Sequence, residues 1–135
     1  MKKITKKFKL RVKKKLKNET ANISRQYITK YSDIKKYFRI LNDAIFDGML
    51  DAFNDIKIKN LRCKGEVVQY EWARKGTRVY HLHMLPKYKN KKEFLDTLAH
   101  EMINLYQMNL KGDTGNHNAL FYSFRPKLNY VGLDI

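Results

Sequence analysis

Leu98-Ala99-His100-Glu101-Met102-Ile103-Asn104-Leu105-Tyr106-Gln107 is the stretch around which the rest of the chain can be organised. At about 100° per residue, Thr97, His100 and Asn104 fall on one narrow helical face. Phe94, Leu95, Leu98, Met102, Leu105 and Tyr106 fill most of the opposite arc, with Glu101 at the boundary. A helix that buries its apolar arc therefore aims His100 and Asn104 at one point.

In H-E-x-x-H sites two imidazoles one turn apart grip zinc and the glutamate polarises its water. This chain has Asn104 where that spacing places the second histidine. A side-chain amide is neutral, and zinc prefers nitrogen and sulfur donors. Three readings follow: Asn104 is a weak oxygen ligand, it stands behind a water that takes its place, or it marks a site that has lost its metal. His81 and His83, two apart on a predicted strand and so on one face, are candidate replacement ligands, as is the hard oxygen donor Asp113. Without a metal, Glu101 has no activated water to work on.

Outward from this helix, Asn90 precedes it as a cap, and Gly112 closes a span expected over residues 91–110. Upstream lie three strand-like runs, 56–61, 66–73 and 77–85, with Asn60, Gly65 and Gly76 as turn residues and Pro86 as the stop. Their short connections predict a small, mostly antiparallel sheet. Before them a helix from Ser32 or Asp33 to about Phe53 carries the stripe Ile34, Tyr37, Phe38, Leu41, Ile45, Met49 and Phe53, with Gly48 as a weak spot. A last helix, 118–128, is interrupted near Pro126. The expected fold class is α+β, a single domain over 31–135 preceded by an arm and linker over 1–30.

The charge is uneven. Residues 1–40 hold 15 Lys/Arg and 2 Asp/Glu, whereas residues 41–135 hold 14 and 11, so most of the +16 sits in front of the domain. Lys2, Lys3, Lys6, Lys7, Lys9, Arg11, Lys13, Lys14, Lys15 and Lys17 form the candidate nucleic-acid-binding set. A solvated tail, or a contact with an anionic membrane or acidic protein, are the competing readings. Ile4, Phe8, Val12 and Leu16 suit a helix, while Phe8, Leu10 and Val12 also suit a strand. Arg62, Lys64, Arg74, Lys75 and Arg78 make either a solvated or a phosphate-contacting rim. Trp72, Tyr70, Tyr80 and Tyr88 are expected to pack on strand faces rather than stack on bases. The 43% apolar content excludes a disordered chain. The lone Cys63 cannot form an internal disulfide, which points to a reducing, cytoplasmic setting. No apolar run is long enough for a membrane span or a secretory leader.

The order of these pieces resembles the SprT-like family of zincin metallopeptidases. The resemblance is carried by Leu41-Asn42 with Phe46, by His83-Met84-Leu85-Pro86 before the motif, by His100-Glu101-Met102-Ile103-Asn104 where the family reads H-E-M-I-H, and by Gly115-Asn116-His117-Asn118-Ala119-Leu120-Phe121. It covers roughly residues 33–135. It implies a zincin-like fold, Zn2+ as cofactor, His100 and His117 as metal ligands with Asn104 by position, Glu101 as catalytic base, and cleavage of DNA-bound proteins. Asn118 departs from the family's glycine, and no cysteine cluster forms a zinc ribbon. The resemblance also suggests a phage product in host cytoplasm or virion. The competing expectation is a catalytically degenerate SprT-like fold that serves as a nucleic-acid-binding or virion-assembly protein.

Overall fold

The computed structural model describes residues 5–71, 78–112, 115 and 117–135. Lys2, Lys3, Trp72, Arg74, Lys75, Gly76, Asp113 and Asn116 lie outside the described residues, and so do the ends of two expected strands. The chain forms an α+β domain in the order α1 (Lys6–Glu19), β1 (Tyr27–Ile28), α2 (Tyr31–Ile45), β2 (Asp55–Ile58), β3 (Gly65–Glu71), β4 (Arg78–Met84), β5 (Lys87–Tyr88), α3 (Lys91–Leu105), a π-helical turn (Tyr106–Leu110), α4 (Ala119–Tyr122) and α5 (Arg125–Tyr130).

The lysine-rich segment takes the helical alternative. Thr5 caps α1 by accepting the Phe8 amide at 3.1 Å. Val12 and Leu16, one turn apart, are buried in the common core, so α1 is packed on the domain rather than solvated all round. Glu19 fixes its far end: it accepts a hydrogen bond from the Tyr37 hydroxyl and pairs with Lys15 at 3.1 Å and Lys91 at 3.8 Å. The polar stretch behind it is also tied in, because β1 pairs antiparallel with β5, Tyr27 opposite Tyr88.

Helix α2 stops at Ile45, well short of the expected Phe53. Asp47 and Gly48 both have positive φ, 54° and 72°, and turn the chain out of the helix. That Asp-Gly pair is a turn signal that outweighs the continuing apolar spacing. Asn42 then holds the returning loop, donating Nδ2 to the Leu50 carbonyl at 2.9 Å and accepting the Leu50 amide at 3.0 Å. Phe53 is still buried, but Met49 is exposed.

The three-stranded sheet has the order β2–β4–β3. β3 and β4 are antiparallel, as expected, but β2 pairs with β4 in parallel, Ile56 opposite Leu82. The sheet is therefore mixed. β4 lies between β2 and β3, so those two consecutive strands are not neighbours in the sheet despite their short link. Tyr80, Leu82 and Met84 point from β4 into the core and are buried. They share it with Phe94, Leu95, Leu98, Met102 and Leu105 of α3, so the apolar arc of α3 rests on the sheet. Among the described residues no helix is long and apolar enough to cross a membrane.

Candidate functional site

Asn90 starts the site helix by accepting the Glu93 amide at 2.8 Å, while Glu93 reaches back to the Lys89 amide at 3.1 Å. This reciprocal pairing satisfies donors that a helix start leaves open. The helix keeps α geometry only to Leu105; the last turn expected to be α is π. Such wide turns are frequent beside functional sites. Gln107, fully buried in this turn, donates Nε2 to Asn118 Oδ1 at 3.2 Å. Asn118 Oδ1 also caps α4 by accepting the Phe121 amide at 3.1 Å. Asn118 thus joins the site helix to the segment that carries His117.

His117 and His100 meet. Their Nε2 atoms are 3.2 Å apart, and the rings cross at 79°. Phe121, four residues after His117, packs against both imidazoles. Its buried ring stacks on His117 at 4.6 Å and meets His100 edge-on at 4.8 Å, which holds both imidazoles from one side. Burial, with the nearby His117 as a lesser cause, lowers the His100 pKa, so its neutral, metal-competent form is favoured.

Glu101 is buried, 4% exposed. Burial pushes its carboxyl up to about 7, with a push from Glu66, against the lowering effect of an Asn104 hydrogen bond. A carboxylate poised there suits proton transfer near neutrality. Asn104 donates Nδ2 to Glu101 Oε1 at 3.0 Å, and its buried Oδ1 finds no donor among the described residues. Gly115, with φ 78°, brings the loop across this oxygen: a Cβ there would lie 3.7 Å from Asn104 Oδ1 and 2.9 Å from Met108 Cε. On the other flank Gly65 begins β3 tight against α3, where a Cβ would come within 2.9 Å of Thr97 Cγ2 and 3.4 Å of Glu101 Cγ. Gly65, a turn residue by sequence, thus serves a close strand–helix approach. A cleft of about 520 Å³ runs along α3, lined by Gly65, Thr97, His100 and Glu101 with Cys63, Lys64 and Asp134 at its rim.

The spacing of the two imidazole nitrogens is compatible with a shared zinc. Two ligands at about 2.0–2.1 Å in a tetrahedral shell are about 3.3 Å apart. The observed Nε2 separation is close to that, and equally accommodates an N–H···N hydrogen bond with one ring donating. Asn104 Oδ1, one turn along the helix from His100 and without a donor among the described residues, is the candidate third donor. Among the described residues, no cluster of three His, Cys, Asp or Glu forms a metal group.

Other candidates fall elsewhere. His81 and His83 alternate with the core-facing residues of β4 and so lie on the sheet face away from α3. There His83 Nδ1 sits 2.7 Å from Glu66 and His81 Nδ1 4.0 Å from Asp55. Neither joins His100. Tyr80 and Tyr88 are buried packing residues, and Tyr70 is exposed against His81. Two rim cations are paired, Lys64 with Glu93 at 3.2 Å and Arg78 with Glu71 at 3.8 Å. On α1, Lys6, Lys7, Arg11, Lys13, Lys14, Lys15 and Lys17 are exposed, and Lys9 is half-buried.

No protein-family model, curated protein or solved structure matches the chain.

Proposed function

We propose that this protein is a SprT-like, zincin-type metallopeptidase that works beside nucleic acid. The observation that carries the reading is the 3.2 Å approach of the His100 and His117 Nε2 atoms next to the buried Glu101. His100 Nε2, His117 Nε2 and Asn104 Oδ1 would hold the zinc. Bound zinc supplies Lewis-acid chemistry, lowering the pKa of a water and polarising a carbonyl.

The chain's own residues supply the rest. Glu101 takes the proton of the attacking water and delivers it to the leaving amine. Burial keeps its carboxyl ready to carry that proton near pH 7. Asn104 orients Glu101 through Nδ2 and turns its oxygen the other way, one amide serving both neighbours. Phe121 holds the imidazoles so that little ordering remains when substrate arrives.

The exposed cations of α1 supply the attraction to nucleic acid, and the anchored helix presents them as a fixed ridge. Incubation with zinc, duplex DNA and a DNA-binding protein tests the reading. Cleavage is expected for the wild type and not for Glu101→Gln; cleavage unchanged by that substitution rejects the mechanism. A neutral amide at position 104 favours one competing reading, a degenerate fold retained for nucleic-acid binding or virion assembly. In that case DNA binding survives while zinc binding and cleavage are both missing.

A further inference from the structure

On the opposite side of α1 from its outer ridge lies a groove of about 390 Å³, lined by Lys6 and Lys9 of α1, Ala44 and Ile45 at the end of α2, and Pro126, Lys127, Tyr130 and Val131 in and after the start of α5. It falls at the lower end of the usual range for ligand pockets, about 300–1,000 Å³. Three of its eight lining residues are lysines and none is acidic. Two larger clefts among the described residues do hold carboxylates: Glu93, Asp96, Glu101 and Asp134 in one, Glu19 and Asp33 in the other. The remaining lining side chains are aliphatic or aromatic, and lysine stems extend that apolar surface beneath their charged ends.

We infer that this groove is a docking site for an acidic segment of a partner protein, one that seats a bulky apolar side chain between α1 and α5 and places flanking carboxylates against Lys6, Lys9 and Lys127. Charge complementarity selects the acidic partner. The three lysines lining the groove repel one another, Asp47 sharing only the adjoining cleft with Lys127, and an incoming Asp or Glu relieves that repulsion. The apolar floor selects a protein side chain over a nucleic-acid base. Tyr130 is the one aromatic ring that lines the groove, and Lys13 Nζ sits over that ring at 4.9 Å. That cation occupies one face of the ring and leaves less of it for a base to stack on. A membrane surface fits poorly as well, since insertion needs protruding apolar groups and this surface is concave.

The two sides of α1 separate by geometry. At about 100° per residue, Lys6, Lys9 and Lys13 fall within about 60° of one another on the groove side, whereas Lys7, Arg11 and Lys14 face away from the buried Val12 and Leu16. The docking inference therefore does not rest on the peptidase reading, and the two can fail independently.

The test uses the full chain and a fluorescein-labelled peptide, acetyl-Glu-Glu-Leu-Trp-Glu-Glu-amide, followed by anisotropy. Lys9→Glu and Lys127→Glu should each weaken the peptide by about tenfold. Replacing Leu-Trp by Ser-Ser in the peptide should weaken it comparably, and Lys14→Glu on the far side should leave it nearly unchanged. All three protein variants alter side chains outside the core, and a thermal melt checks that each folds. A short DNA duplex measured beside the peptide should respond to Lys14→Glu more than to Lys127→Glu. Absence of peptide binding, equal loss in Lys14→Glu, or equal loss of duplex binding in the groove variants would each overturn the inference. The second outcome would mean general charge attraction, and the third would make the groove part of a nucleic-acid surface.

Discussion

Replacing Glu101 by glutamine should make the zinc-free protein more stable while removing its proposed chemistry. The carboxyl is 4% exposed, and burial raises its pKa from 4.5 to about 7. An acid raised in the folded state binds more protons folded than unfolded between those two values. Stability from this group is therefore fully present below about pH 4.5 and is lost as pH rises towards 7. The loss is about 3 kcal/mol, at about 1.4 kcal/mol per pKa unit. Glutamine has no such titration, and its Oε1 can still accept the Asn104 hydrogen bond. In chelator-treated protein near pH 8, Glu101→Gln should thus gain about 3 kcal/mol. For 135 residues, unfolding entropy is about 0.28 kcal/mol/K, so the gain is about 10 °C in Tm. His100 acts in the opposite sense, because its folded pKa is lowered and its contribution grows as pH rises towards 6.5. That slope is common to both proteins and cancels in their difference. Urea or thermal unfolding of the pair from about pH 4.5 to 8 measures it. A difference that does not change with pH, or a destabilised variant near pH 8, would refute the assignment of a buried, strained carboxyl.

Leu16→Ala should cost about 2–5 kcal/mol in urea unfolding, since Leu16 is 1% exposed in the shared core; a cost near zero would mean α1 is energetically detached. Asn118→Ala removes the α4 cap and the Gln107 partner together and should cost about 1–2 kcal/mol, with a weaker zinc affinity; isothermal titration and unfolding on the same sample check both. Asn104→His replaces an amide oxygen by imidazole and should raise zinc affinity by about tenfold or more in a competition titration, unless position 104 faces away from the metal.

Much of the site helix was legible in sequence because several signals agreed: an apolar arc of helical period, Asn90 as cap, and two donors on the remaining face. His117 was marked only by the resemblance of its segment to the SprT-like family, and the structure adds a physical content in the Phe121 ring contacts on both histidines. The end of α3 was not legible, because apolar positions at Leu105 and Met108 suit an α-helix as well as a π turn. The stop of α2 was present in the sequence as Asp47-Gly48 but was outvoted by Met49 and Phe53. Pairing of β2 with β4 left no local trace, since connection length says only which strands can be neighbours. Two-residue strands such as β1 and β5 are shorter than any periodicity. The Gln107–Asn118 bridge had one clue, Asn118 in the cap position before Ala119. Its partner is a tertiary contact that no sequence spacing reveals.

The central claim, that positions 100, 104 and 117 form one metal-binding unit, is tested most directly by zinc titration of the purified full chain with elemental analysis. Stoichiometric zinc is predicted in the wild type, lost in both His100→Ala and His117→Ala and weakened in Asn104→Ala. Zinc content unchanged in the two histidine variants, or no zinc bound by the folded wild type at neutral pH, would contradict the account.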